Sequence, residues 1–203
     1  PEIQYLTRDR ADYWNTGFVP QALDPGQWQL VEASQQRVIL RQAVTLDAFN
    51  LAAGRKHLQM ETVITPVANP LRHLRDFGAL SEGVTYAGYQ QTVTLAETVN
   101  DDILSATWNL IQVVPGGEVL VPATDSAEIT NYMSPPADGL VTPKPGHIRV
   151  QFTGRHQFKI GLKAAQVTGR FAYLNQIGDG RTYLLVRSFL NPLRDADQPQ
   201  VDY

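Results

Sequence analysis

Two histidines, His147 and His156, bracket a short apolar run in the second half of the chain. An imidazole titrates near neutral pH, so either one could act as a general acid if a base lay opposite the reacting group. Late carboxylates such as Asp125, Glu128 and Asp179 all fall in predicted loops or turns. An acid–base pair therefore remains a hypothesis, and surface or hydrogen-bonded structural histidines are the favoured interpretation.

Lys159 lies between Phe158 and Ile160 in a predicted strand. Because side chains alternate along a strand, the two apolar residues share one face, and Gln157 and Lys159 share the other. If the apolar face packs inward, the Lys159 ammonium can donate hydrogen bonds to sugar hydroxyls or to a carboxylate. The alternative is a solvated lysine on the outer face of a sheet.

Trp108 and Gln112 share one face of another predicted strand. An indole ring can stack on the apolar face of a pyranose while a glutamine amide hydrogen-bonds a hydroxyl. Trp is mostly buried on average, so a core position for Trp108 is favoured over a ligand contact. Arg187, in a late predicted strand, is the remaining candidate for ligand binding.

Two further groups of side chains are candidate sites. Arg72, His73 and Arg75 could clamp an anionic ligand such as a uronic acid or a phosphate, although a solvated turn is the preferred interpretation. His57 and Glu61 would form a metal pair only on a helix, and their segment alternates like a strand. No nucleotide-binding or nucleophile-elbow motif is present. The sequence predicts no metal and no cofactor.

The chain of 203 residues suits one domain with a substantial core. It has no cysteine, which excludes disulfides, cysteine-ligated zinc and a thiol nucleophile. A net charge of −3 without charge blocks argues against nucleic acid as a partner. No membrane span or signal peptide is predicted, but the chain begins with Pro1 rather than Met, so we expect that an N-terminal segment was removed or was never included. Localisation stays open, with the periplasm or the exterior favoured over the cytoplasm.

Thirteen prolines and fifteen glycines punctuate short apolar runs, which predicts many short strands. The predicted strands cover residues 27–33, 37–46, 57–67, 84–98, 105–114, 118–121, 148–152, 157–162, 170–174 and 182–189. Most are adjacent in sequence without intervening helices, so the predicted fold is all-β, a large antiparallel β-sandwich. Residues 69–83 and 122–146 are predicted long loops. Residues 1–26 are predicted as an irregular N-terminal arm, and residues 27–203 as the sandwich domain.

Four segments in the second half resemble a known family in their order and spacing. They are WNLIQVVPGGEVLVP (108–122), HQFKIGL (156–162), GRFAYL (169–174) and TYLLVRSF (182–189). Together they resemble uncharacterised bacterial proteins with the galactose-mutarotase-like, aldose-epimerase-type supersandwich fold. The resemblance covers residues 108–189 well and residues 59–189 loosely. It implies a large antiparallel sandwich with a concave face that binds carbohydrate.

Enzymes with that fold interconvert sugar anomers with a histidine acid and a glutamate base. This chain lacks their H-x-Y-F-N-L motif, and no Glu follows Glu128. Either the sequence is truncated before the strand that carries the base, or the chain lacks that site.

Three hypotheses follow from these residues. The first is a mutarotase-like domain that binds carbohydrate, with no proven catalysis. The second is a sugar 1-epimerase or related isomerase with His147 or His156 as the acid. The third is a structural or interaction domain, in which a homo-oligomer or a partner chain covers open sheet edges.

Overall fold

The computed structural model of the chain describes residues 21–48, 54–99, 105, 107, 109–133 and 135–190. Strands make up 48% of the structure and helices 10%, and the sheets are antiparallel. The predicted all-β sandwich class is therefore confirmed. The chain divides into two compact units, Pro1–Ile111 and Gln112–Tyr203. The predicted arm at residues 1–26 stays a prediction, since residues 1–20 lie outside the described ranges.

The first unit contains a four-stranded antiparallel sheet whose strands follow one another in chain order. The strands are β1 (Gln29–Ala33), β2 (Val38–Ala48), β3 (Gly54–Pro66) and β4 (Tyr89–Glu97). β2 pairs with β3 along its whole length, from Val38 opposite Ile64 to Ala48 opposite Gly54. Their apolar side chains alternate with polar ones, so Val44 and Leu58 lie on the buried face of the sheet. β1 pairs with the free edge of β2, and β4 pairs with the free edge of β3.

The connection between β3 and β4 contains a 3₁₀ turn, Pro70–His73, and a short helix α1, Phe77–Ser81, with no buried residue in either. The Asn69 side chain accepts a hydrogen bond from the backbone N–H of Leu71 (2.9 Å), which caps the turn. The Arg72 guanidinium donates to the Asn69 carbonyl (3.1 Å). Arg72 thus makes a local turn contact, as the preferred interpretation of this loop expects.

The second unit has two layers. A five-stranded sheet has the order β11-β10-β5-β8-β7, and β6 and β9 form a two-stranded ribbon. The strands are β5 (Gly117–Pro122), β6 (Ile129–Asn131), β7 (Val141–Lys144), β8 (His147–Phe152), β9 (Ile160–Leu162), β10 (Arg170–Gln176) and β11 (Thr182–Ser188). Ala123, Ile148 and Val150 form the buried centre, and apolar side chains of the ribbon pack against them. The core therefore lies between the sheet and the ribbon.

Two parts of the sequence-based strand assignment are wrong. Residues 109–114, within the predicted strand 105–114, belong to no sheet, and the boundary between the two units falls among them. The Val114 carbonyl accepts hydrogen bonds from the Tyr173 hydroxyl and the Asn175 amide rather than from a strand partner. The predicted loop 122–146 contains β6 and β7. Both strands are short. β6 pairs with β9, which is distant in the chain, and β7 pairs with β8 across a turn, so the local alternation of side chains is too brief to reveal either strand.

The Pro115-Gly116-Gly117 turn depends on one buried side chain. Tyr173 is 1% exposed, and its hydroxyl accepts a hydrogen bond from the Gly117 N–H (3.0 Å). A Cβ on Gly117 would lie 2.7 Å from the Tyr173 ring, so only glycine fits there. The Gly-Gly turn and the strand with Tyr173 belong to two of the segments that carry the family resemblance. They contact each other because the buried tyrosine hydroxyl binds the backbone of the turn.

Candidate functional site

The outer face of the β6–β9 ribbon gathers polar and aromatic side chains on one side. Thr130 lies opposite Gly161 in the ribbon register, while Ile129 and Leu162 turn toward the core. The same alternation continues one step beyond each strand end. It places Glu128 opposite Lys163, and Tyr132 opposite Lys159. We call these six residues the ribbon face: Glu128, Thr130, Tyr132, Lys159, Gly161 and Lys163.

Lys159 lies on the ribbon face, as strand alternation predicts. Phe158 and Ile160, its neighbours in sequence, both pack against the buried core cluster. The Lys159 ammonium lies 5.9 Å from the centroid of the Tyr132 ring, within the range of a cation–π interaction. The Tyr132 N–H also donates to the Lys159 carbonyl (2.9 Å), so backbone and side chain both join these residues. The ribbon therefore holds an aromatic ring and a cation side by side.

Tyr132 rests on a glycine. A Cβ added to Gly161 would lie 2.5 Å from Cε2 of Tyr132, which means that the ring lies directly against the Gly161 backbone. The tyrosine nevertheless stays 45% exposed. Contact with the backbone on one side restricts the ring, while its solvent side remains open to a ligand. This geometry can offer a flat aromatic surface at low cost in side-chain entropy.

Glu128 and Lys163 close the other end of the ribbon face. Their carboxylate and ammonium groups are 2.6 Å apart, and both side chains are mostly exposed. The hydrogen bond from Lys163, together with its charge, lowers the pKa of the Glu128 carboxyl below its usual value. The carboxylate is thus ionised at neutral pH and can accept hydrogen bonds. An exposed pair of this kind adds little to stability, so a ligand can engage it at small cost.

Gln166 fixes the chain that enters the ribbon. Its side-chain oxygen accepts from the Glu128 N–H (3.1 Å), and its side-chain nitrogen donates to the Ser126 carbonyl (3.2 Å). The Gln166 carbonyl accepts from the Thr124 N–H (2.9 Å). One glutamine therefore satisfies three backbone groups of the segment that positions Glu128. The polar end of the ribbon face is held in place before any ligand arrives.

The two predicted acid candidates lie elsewhere in the second unit. His147 is the first residue of β8, and its Nδ1 is 3.2 Å from the Pro145 carbonyl oxygen. His156 is exposed in the connection between β8 and β9. Within the described ranges, neither imidazole contacts a carboxylate. In this part of the structure, neither histidine has a carboxylate beside it that could serve as the base of an acid–base pair.

Two other predicted ligand contacts, Arg187 and Gln112, are not among the residues of the ribbon face. Arg187 is half-buried in β11, where it pairs with Phe171 of β10. Gln112 is exposed in the segment that precedes the Gly-Gly turn. Trp108 lies outside the described residues. Among the predicted ligand-binding residues that the structure describes, only Lys159 belongs to the ribbon face.

Sequence reasoning missed Glu128, Thr130, Tyr132 and Lys163 as partners of Lys159. All but Lys163 lie in the segment that was predicted as a loop. The available signal was the β-branched pair Ile129–Thr130, which favours a strand. It was too short to reveal a strand of three residues or to identify β9 as its partner.

The described residues contain no group of three or more side chains suited to hold a metal ion. In the same part of the chain, no helix has the length and apolar character needed to span a membrane. Comparison of the chain with protein-family models, with curated proteins and with solved structures gives no match in any of the three.

Proposed function

We propose that this chain is a carbohydrate-binding module with the mutarotase-like supersandwich fold, and that its ligand docks on the ribbon face without being chemically changed. The observation that carries the proposal is the Tyr132 ring, held against Gly161 with the Lys159 ammonium 5.9 Å from its centroid. An exposed aromatic ring beside a hydrogen-bond donor matches the two sides of a sugar. The resemblance of residues 108–189 to mutarotase-like proteins supports the same ligand class.

Each group on the ribbon face has a role in such a complex. A pyranose presents a face of C–H groups, which stacks on the exposed side of Tyr132. Its hydroxyls both donate and accept hydrogen bonds. Lys159 supplies donors, Thr130 supplies a hydroxyl, and the ionised carboxylate of Glu128 supplies acceptors. Glu128 and Tyr132 are four residues apart, roughly 13 Å in an extended chain, so the face is longer than one sugar ring.

The proposal contains no catalytic step because proton transfer needs an acid and a base placed at the reacting atoms. His147 and His156 lie off the ribbon face, and neither contacts a carboxylate among the described residues. Sugar 1-epimerase activity is therefore not part of the proposal, but it can be tested separately. Acceleration of the mutarotation of a freshly dissolved anomer would favour it.

The test is a glycan array followed by calorimetric titration of the best ligands. We expect Tyr132→Ala to weaken binding by about tenfold or more, since a lost stacking contact of ~1.4 kcal/mol corresponds to that factor. Tyr89→Ala is the matched control, because Tyr89 is an exposed tyrosine of β4 in the other unit. Lys159→Ala should also weaken binding, whereas Lys144→Ala in β7 should not. A full array without a binder, or equal affinity of Tyr132→Ala and wild type, would overturn the proposal.

A further inference from the structure

The outward face of the four-stranded sheet carries a second, independent arrangement of side chains. It is the face opposite to the one that buries Val44 and Leu58, and its residues line up in rows across β2, β3 and β4. The rows are Arg41–Glu61–Thr94, Ala43–Gln59–Ala96 and Thr45–His57–Thr98. The middle row has an alanine on each side of Gln59. Small side chains between two rows of larger ones leave a depression in the sheet surface.

A cavity of about 320 Å³ lies along the β2–β3 pair, at the Thr45–His57–Thr98 end of these rows. Its lining consists of Ala43, Val44, Thr45, His57, Leu58, Gln59 and Thr98. A neighbouring cavity of about 420 Å³ shares the Ala43–Thr45 segment and extends to the turn at residues 21–27. All of these residues belong to the first unit. We call the first cavity the sheet hollow. Its volume falls at the small end of the range for ligand sites.

The β1 strand stops short of the part of β2 that lines the hollow. The pairing of β1 with β2 ends at Gln29 opposite Arg41, so the next residues of β2 have no β1 partner. A tight turn at Ala22–Gly26 lies beside them instead, and the Gln27 N–H donates to the Gln42 side chain (3.2 Å). Gly26 has φ of +71°, and a Cβ there would lie 2.7 Å from Gln42 Oε1. These contacts hold the turn that lines the neighbouring cavity, which includes Gly26 and Gln27.

The polar groups of the hollow are oriented. His57 Nδ1 and Thr45 Oγ1 are hydrogen-bonded across the strand pair (2.9 Å), which sets the direction of the imidazole. The N–H and the hydroxyl of Thr98 both donate to the His57 carbonyl (3.0 Å each). No hydrogen bond joins His57 Nε2 to any described residue. The ring thus presents its second nitrogen with its orientation already fixed.

The charge of the hollow indicates the chemical class of its ligand. Arg41 and Glu61, in the row beside the alanines, form an ion pair with a separation of 2.5 Å. The lining itself offers an amide, two hydroxyls and an imidazole, and includes no carboxylate, ammonium or guanidinium. Groups of this kind pair best with uncharged hydroxyls, which act as donor and acceptor together. We propose that the sheet hollow binds one neutral polyhydroxyl unit, such as a monosaccharide.

The test follows the imidazole resonances of the whole chain by NMR. The chain has only four histidines, so His57→Asn assigns the His57 signals. The probes are the methyl glycosides of glucose, galactose and mannose, with glucuronate as the charged comparison. We expect a saturable shift of the His57 signals with at least one neutral glycoside and a smaller shift with glucuronate. The signals of His73, His147 and His156 should stay in place.

Two test variants and two control variants separate the hollow from other sites. Ala43→Leu fills the hollow and should abolish the His57 shift, and Gln59→Leu should reduce it. Ala33→Leu, at an exposed position of β1, is the matched control and should leave it unchanged. Tyr132→Ala removes the ribbon-face contact and should also leave it unchanged, so the two proposals fail separately. Absence of a shift with all three glycosides, or an undiminished shift in Ala43→Leu, would overturn the inference.

Discussion

The hydroxyl of Tyr173 donates a hydrogen bond to the carbonyl of Val114, 59 residues earlier in the chain. The same oxygen accepts from the N–H of Gly117 and from the side-chain nitrogen of Asn175, each at 3.0 Å. One phenol therefore satisfies both sides of the turn that leads into β5. Because β5 is the middle strand of the five-stranded sheet, this contact also positions the layer against which the ribbon packs.

Tyr173→Phe should destabilise the protein by about 1–3 kcal/mol, since it leaves the Val114 carbonyl and the Gly117 N–H without their shared partner. Urea denaturation followed by circular dichroism measures the change. Tyr89→Phe removes a hydroxyl from an exposed ring and serves as the control, with an expected effect below ~0.5 kcal/mol. Equal loss in both variants would show that the buried network contributes nothing.

The stability of the protein should fall in alkali partly through Tyr173. Burial raises the pKa of this phenol above its usual value near 10. The neutral form is thus favoured in the folded state, and its contribution is fully present below the unfolded pKa. That contribution is lost as pH rises through the folded pKa. The free energy of unfolding, measured from pH 8 to 11.5, should fall less steeply in Tyr173→Phe than in wild type.

Gly117→Ala should destabilise the second unit by about 1–3 kcal/mol, because the new methyl group would lie 2.7 Å from both Tyr173 Cζ and Asn175 Cβ. Gly178→Ala is the matched control, since nothing lies within 4 Å of the added Cβ there. Its backbone has no positive φ either, so the control should be neutral or slightly stabilising. Thermal melts of both variants against wild type decide the outcome. A Gly117→Ala protein as stable as the control would contradict the close packing of this turn.

The ion pair between Lys56 and Glu97 should matter more than exposed pairs of the same sheet. Lys56 is only 3% exposed, and its ammonium is 2.6 Å from the Glu97 carboxylate, whereas Glu97 keeps 31% of its side chain exposed. Glu97→Gln should therefore cost about 2 kcal/mol, below the ~3–5 kcal/mol of fully buried pairs. Glu32→Gln, which breaks an exposed pair with Arg37, should cost no more than ~1 kcal/mol. Chemical denaturation that ranks the two variants in the opposite order would refute this assignment.

Ligand binding on the ribbon face should depend on pH through Glu128. Its pKa is lowered by the hydrogen bond and charge of Lys163, so the carboxylate acceptor persists below the usual glutamate pKa near 4.3. Lys163→Met removes that partner and should shift the loss of affinity to higher pH. Calorimetric titration of the same glycan between pH 4 and 7 measures the shift. Identical pH profiles for the variant and the wild type would show that the Glu128 carboxylate does not contribute to ligand binding.

The sequence by itself was sufficient for the all-β class and for the long elements. β2 and β3 are adjacent in the chain, each offers more than ten residues of alternating side chains, and a local hairpin leaves little choice of register. The same alternation correctly separated Phe158 and Ile160 from Lys159. In each case the information lies within a few consecutive residues.

Only the tertiary structure shows which side chains lie next to Lys159 and to the residues of the four-stranded sheet. β6 has three residues, and its partner β9 begins about thirty residues later, so no local pattern could place Tyr132 beside Lys159. The rows of side chains beside the sheet hollow likewise depend on the register of three strands at once. Strand pairing is a contact between distant segments, and its free energy comes from packing that forms only when those segments meet. For that reason a period of two predicts the face on which a side chain lies, but not the neighbour it will contact there.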